Sequence, residues 1–217
     1  MVGRAAPRTQ NRAGFSLLEL AVILAIVGVI AALAAPVGST WAENQRLSAS
    51  VRGVEAAFSY ARGEATRTGN IHAVFLITDA DGNALDPPIV VLNDGQAGTA
   101  LQNCNIDGGE PIKTFDLDDG VSFGVTIATS KVTSDPGGGS LGASTFEDAS
   151  SNAASWVLFR PEGFPQAFSS DCSVGVVGTG GGGIYLTNGS RDVSVVLTPL
   201  GATRIHRWEN NSGGWSQ

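Results

Sequence analysis

Gly14-Phe15-Ser16-Leu17-Leu18-Glu19-Leu20 leads without a break into Ala21-Val22-Ile23-Leu24-Ala25-Ile26-Val27-Gly28-Val29-Ile30-Ala31-Ala32-Leu33-Ala34-Ala35. Between Leu20 and Ala35 there is no polar side chain. The stretch 15–37 has about the 20 residues that a helix needs to cross a hydrocarbon layer. Arg4, Arg8 and Arg12 precede it, and no acidic residue does. The positive-inside rule then expects the N-terminus in the cytoplasm and the rest of the chain outside it. Three kinds of segment share this outline. One is a secretory signal peptide, for which Ala32, Ala34 and Ala35 before Pro36 supply small residues at a cleavage site. The second is a plain membrane anchor. The third is a helix that is inserted first and packed against other helices afterwards. Glu19 separates them. A carboxylate near the start of an apolar segment is costly in lipid, and neither of the first two needs it. In a packed assembly it has a use. If a cut frees an amine at the head of such a helix, Glu19 can pair with that amine on a neighbouring helix, which offsets the burial cost of both charges.

The stretch Gly14-Phe15-Ser16-Leu17-Leu18-Glu19-Leu20 resembles the processing site of type IV pilins and type II secretion pseudopilins. Gly, Phe and Glu stand at that family's spacing, at the junction of a basic leader and an apolar helix. Pro36 falls where these helices commonly carry a proline. The resemblance implies that a membrane peptidase cuts after Gly14 and N-methylates Phe15. It also implies that Glu19 directs assembly.

Beyond the apolar block the period changes. Leu47, Val51, Val54, Phe58, Ala61 and Ala65 follow one another at alternating spacings of four and three, which is one face of a helix. Arg46, Arg52, Glu55, Arg62, Glu64 and Arg67 largely occupy the other faces, and Gly69-Asn70 reads as the stop. A helix from Phe15 to Thr68 would span about 80 Å, with Pro36, Gly38, Gly53 and Gly63 opposing a straight, uniform course. After Asn70 short β-like runs take over. Strands are expected at 71–78, 89–92, 112–115, 121–127, 156–159, 183–186, 193–197 and 203–208, separated by Asn-, Asp- and Gly-rich turns. Residues 134–155 read as a long loop with one mobile tip, and 179–183 as a second weakly ordered stretch.

The C-terminal part resembles the GspH/FimT branch of pseudopilins and minor pilins. Trp156-Val157-Leu158-Phe159-Arg160-Pro161-Glu162-Gly163 is similar to its strand followed by Phe-x-x-x-Gly. The ending from Val193 to Ile205 is similar to its strand, Gly turn and last strand carrying an Arg. The branch implies one N-terminal helix packed on a β-sandwich or on two small sheets.

The 217 residues carry a net charge of −7. That balance argues against broad binding of DNA or RNA, which needs clustered Lys and Arg. Some FimT-type minor pilins bind DNA through a C-terminal Gly-Arg-x-Arg pattern. Here Gly201 is followed by Ala202-Thr203-Arg204, so the pattern is broken. Arg204 and Arg207 are the contacts to test for a DNA-capturing pilin, a nucleic-acid partner not being expected. Cys104 and Cys172 are either two free thiols or a bridge. The N-terminal evidence for export favours the bridge, which by the chain-entropy model stabilises by about 4 kcal/mol at best.

Other motifs fail on context. Gly138-Gly139-Ser140-Leu141-Gly142 fits G-x-S-x-G, but lacks the strand before and helix after that a nucleophile elbow needs. Gly178 to Gly183 fits G-x-G-x-x-G, but Ile184-Tyr185-Leu186 reads as a strand. Asp79-x-Asp81-x-Asn83 starts like a calcium loop, yet its glycine is at the fourth place and Val90 stands where a bidentate Glu belongs. It reads as a solvated turn. His72 and His206 are too few for a zinc site or a triad. Neither cofactor, metal nor catalytic residue is expected, and the chain is read as the substrate of an enzyme. A secreted hydrolase would differ in giving a soluble, unanchored product.

The expected architecture is α+β and type IV pilin-like, a long N-terminal helix packed on a C-terminal β-rich domain. Residues 1–14 form a leader, 15–37 a transmembrane or filament-core helix, 38–69 an amphipathic continuation, and 70–217 a periplasmic β-rich domain. The expected place is the inner membrane, single-pass, with incorporation into a pilus or pseudopilus. The expected partners are a prepilin peptidase/N-methyltransferase, other pilins or pseudopilins, the inner-membrane assembly platform and membrane lipid. The function implied is that of a minor pseudopilin of a type II secretion system, or alternatively of a minor pilin priming or tipping a type IV pilus.

Overall fold

A computed structural model describes residues 16–95 and 103–217, without the side chains of 32–39. Gly14 and Phe15 therefore lie outside the described residues. The chain divides into two compact units, Met1–Ala42 and Glu43–Gln217. A helix, α1, runs over Leu17–Thr68. It stops where the sequence places the stop. Gly69 takes a φ of 74°, and its N–H donates to the Ala65 carbonyl at 3.0 Å, closing the last turn.

The second unit is built on two antiparallel sheets. Its strands are β1 (His72–Thr78), β2 (Ala84–Asn93), β3 (Ile112–Phe115), β4 (Ser122–Phe123), β5 (Trp156–Phe159), β6 (Pro165–Gln166), β7 (Gly182–Thr187), β8 (Asp192–Leu197), β9 (Thr203–Glu209) and β10 (Gly214–Ser216). One sheet has the order β3-β2-β1-β5-β6 and the other β10-β9-β8-β7-β4.

Side chains alternate across each strand, and both faces are apolar. Val74, Leu76, Ile89, Val91, Val157 and Phe159 of the first sheet share one core with Ile184, Leu186, Val193, Val195 and Leu197 of the second. The helical stripe Leu47, Val51, Val54, Phe58, Ala61 and Ala65 belongs to the same core. Phe58 lies at its centre, 1% exposed, with its ring 6.1 Å from Phe146 and 6.5 Å from Phe159. Polar contacts fix the helix at its rim. Arg62 Nη1 donates to the Gly201 carbonyl, Thr203 Oγ1 to Glu55, and the Asp118 N–H to Ser50 Oγ. The opposite faces are covered by loops. Ala73, Phe75, Val90, Leu92 and Leu158 pack with Cys104 and Phe168, and Tyr185 and Val196 pack with Val132. Strands buried on both faces read as continuous apolar runs, hence Val90-Val91-Leu92 and Val195-Val196-Leu197.

Several expected boundaries are corrected. The strand expected at 121–127 is only Ser122–Phe123. The N–H groups of Thr126, Ile127 and Ala128 turn instead to the buried carboxylate of Asp192, at 2.7 to 3.1 Å, and groups so bonded do not enter a ladder. β2 begins at Ala84, ahead of the expected 89, and carries Pro87 and Pro88. Pairing with β3 begins only at Ile89, so on that side no strand asks the prolines for a donor. The glycines expected to be weakly ordered at 179–183 are closely packed. A Cβ on Gly182 would fall 2.8 Å from the Phe146 ring, and one on Gly180 would fall 2.5 Å from the Gln166 nitrogen. Residues 134–155 hold no named strand but are fastened. The Asp135 carboxylate accepts from Gly137 N–H, Thr145 Oγ1 and Tyr185 Oη, while Phe146 reaches the main core. β6 and β10 were not expected.

Candidate processing and assembly segment

The described part of the N-terminal segment begins with a helix cap. The Ser16 hydroxyl accepts from Leu18 N–H at 3.3 Å, and the Ser16 carbonyl accepts from Leu20 N–H at 3.1 Å. Ser-x-x-Glu is the spacing of a capping box, a local signal written in the sequence. Glu19 is exposed and lies in the first turn. A carboxylate is favoured there by the partial positive charge of the unsatisfied N–H groups. A cationic amine at the same end has the opposite preference, so a chain beginning at Phe15 needs a nearby anion.

From Leu17 to Ala31 every side chain is exposed. Leu17 is 86% exposed, Val27 54% and Val29 62%, on differing sides of the helix. Among the described residues no helix is long and apolar enough to cross a membrane. The expected span 15–37 falls partly outside those residues, since Phe15 and the side chains of 32–39 are not described. A helix apolar all round does not remain in water; it is buried in lipid or among other apolar helices.

Residues 9–35 match the family model described as the prokaryotic N-terminal methylation motif. The motif supports a pilin or pseudopilin relationship. It implies processing by a prepilin peptidase and assembly with other pilins. Proteins with it are structural subunits, membrane-anchored and incorporated into filaments. The methylation motif contains Gly14, Phe15 and Glu19. No curated protein and no solved structure matches the chain.

The other candidate residues lie in the second unit. Cys104 and Cys172 form a disulfide, 68 residues apart in sequence. It ties the loop after β2 to the turn after Phe168, over the outer face of the first sheet. Asp94 lies near both sulfurs in a group that could hold a metal, but bridged sulfurs offer no thiolate. Arg204 and Arg207 are both exposed on β9. Arg204 is opposite Val196 of the outer face and Arg207 opposite Val193 of the core face, so they do not form one basic patch. The two histidines sit in different sheets. His72 on β1 places Nδ1 3.3 Å from the Asn70 carbonyl, and His206 on β9 places Nε2 3.5 Å from Ser134 Oγ. Burial pushes the pKa of each below the usual histidine value.

Asp79 closes its own turn. Its carboxylate accepts from the N–H groups of Asp81 and Asn83 and from the Asn83 side-chain amide. Gly138–Gly142 lies in a loop, and Gly182 and Gly183 are part of β7, so neither glycine motif has the context its chemistry needs. Among the described residues three carboxylates are buried, Asp94, Glu110 and Asp192, and none was singled out from the sequence as a site. Asp192 has no sequence signature. It is recognisable only once residues 126–128 are beside it.

Proposed function

We propose that the chain is a minor pseudopilin of a type II secretion system, of the GspH/FimT branch, cut between Gly14 and Phe15 and N-methylated on Phe15. The helix 15–37 crosses the inner membrane before assembly and packs into the filament core after it. Glu19 sets the register by pairing with the methylated amine of a neighbour. The β-rich unit lies in the periplasm, on the filament surface or at its tip. One observation carries this reading: a helical segment apolar on every side whose sole charge between residues 16 and 31, Glu19, lies in its first turn. Two five-stranded sheets sharing a core with one helical stripe support the branch assignment.

The first test is the N-terminal mass of the mature chain from membranes. The expected species begins at N-methylated Phe15; a soluble chain beginning near Pro36 would overturn the reading in favour of a signal peptide. Glu19→Ala is expected to leave cleavage intact and to block incorporation into filaments. An amine left buried and unpaired costs roughly 3–5 kcal/mol per contact. Normal incorporation of that variant would remove Glu19 from assembly.

A further inference from the structure

Between Glu19 and Glu43 no side chain carries a charge. The apolar run gives way to Ser39 and Thr40, Trp41 and Ala42 follow, and charge returns with Glu43 and Arg46. Helix α1 is continuous through all of these residues. Trp41 is 66% exposed. The other tryptophans are engaged within the β-rich unit. Trp156 Nε1 donates to the Phe168 carbonyl and Trp215 Nε1 to the Ser130 carbonyl, and the Trp208 and Trp215 rings lie 5.4 Å apart. A single exposed apolar side chain needs no explanation. One that closes an uncharged helical run has a position along that run, and the position can be measured.

Glu19 and Trp41 belong to the same compact unit. A helical rise of about 1.5 Å per residue separates them by about 33 Å along the axis. The hydrocarbon layer of a bilayer is about 30 Å thick. With Glu19 at one boundary of that layer, Trp41 therefore stands at the other. The side chain suits this depth. Its ring offers a large apolar area to acyl chains, while its Nε1–H needs an acceptor that hydrocarbon lacks and that ester carbonyls and water supply. Tryptophan is enriched at such boundaries for this reason. Arg4, Arg8 and Arg12 hold the opposite end at the cytoplasmic face, so the boundary that Trp41 meets is the periplasmic one.

We propose that Trp41 is a lipid-contact residue, its ring lying in the ester-carbonyl zone of the periplasmic leaflet and fixing the depth of α1 before assembly. The inference rests on the reading that residues 15–37 cross the membrane. With Trp41 held there, Glu19 stays at the cytoplasmic boundary, and the bond between Gly14 and Phe15 stays on the cytoplasmic side of it.

The test uses the full chain in phospholipid vesicles whose acyl chains carry bromine, a contact quencher of indole fluorescence, either near the ester or near the chain end. The signal of Trp41 is the difference between the unaltered chain and Trp41→Phe. It is expected to be quenched severalfold more by bromine near the ester. A second variant, Ile30→Trp combined with Trp41→Phe, reports the point midway between Glu19 and Trp41 and is expected to show the reverse preference. That reverse preference, together with a Trp41 signal that neither lipid quenches or that chain-end bromine quenches more, would overturn the depth assigned to Trp41 and leave the crossing standing. A signal at position 30 that neither lipid quenches would overturn the crossing itself, and the proposal with it.

Discussion

Two stretches of α1 present opposite designs. In residues 17–31 apolar side chains surround the axis and all are exposed. In residues 47–65 they form a stripe of Leu47, Val51, Val54, Phe58, Ala61 and Ala65, and all are buried. The same residue types have different meanings because spacing, more than composition, tells what a helix faces. A stripe is satisfied by one surface, here the core between two sheets. A cylinder needs apolar surroundings on every side, which only lipid or a set of similar helices supplies. The first design therefore points outside the chain and the second to its own fold.

The sharpest way to break this contrast is to truncate one large side chain in each stretch. Phe58→Ala is expected to destabilise the second unit by about 3–5 kcal/mol, the usual loss for a fully buried aromatic. Leu24→Ala is expected to leave that unit within about 0.5 kcal/mol. Denaturant unfolding of the two variants in detergent measures both. Equal losses would mean that the exposed segment supports the β-rich unit. Reduction of the Cys104–Cys172 bridge sharpens the contrast from the other side. It is expected to cost up to about 4 kcal/mol by the chain-entropy model, seen as a lowered thermal midpoint, with the helical signal of 17–31 unchanged. An unaltered midpoint would show that the loop cover needs no covalent tie.

The smallest expected effect is that of pH. His72 and His206 both belong to the second unit, and both have folded pKa values lowered by burial. The unfolded chain takes up protons near the ordinary histidine value of about 6.5, and the folded chain only below it. Their contribution to stability is thus complete above that pH and is lost as pH falls through the folded values. The midpoint should drop on mild acidification, and His206→Gln should shrink the drop. A pH-independent midpoint in the unaltered chain would mean that both rings accept a proton in place.

Much of the helix was legible because its signals are local. Each of the six stripe residues named by period is buried, and Gly69 ends the helix as its backbone freedom allows. Strands with long β-branched runs were equally plain. The errors fall where one segment's backbone is claimed by another far away in sequence. Thr126 to Ala128 are diverted by Asp192, and Gly180 to Gly183 are small because Phe146, Gln166 and Asp135 approach them. A glycine run reads as slack when seen alone. Against a neighbouring chain it is a close approach.

The candidate sites divide in the same way. Gly14, Phe15 and Glu19 lie within the stretch that matches the methylation motif, and they are read from the order of residues without any fold. Their spacing and the apolar run after them were determined by sequence alone. The diversion of residues 126–128 to Asp192, the close packing of Gly180 and Gly182, and the bare oxygen of Glu110 were decided only by the tertiary structure. Each depends on which atoms the fold brings together and which it removes from water, and none is written in the order of residues.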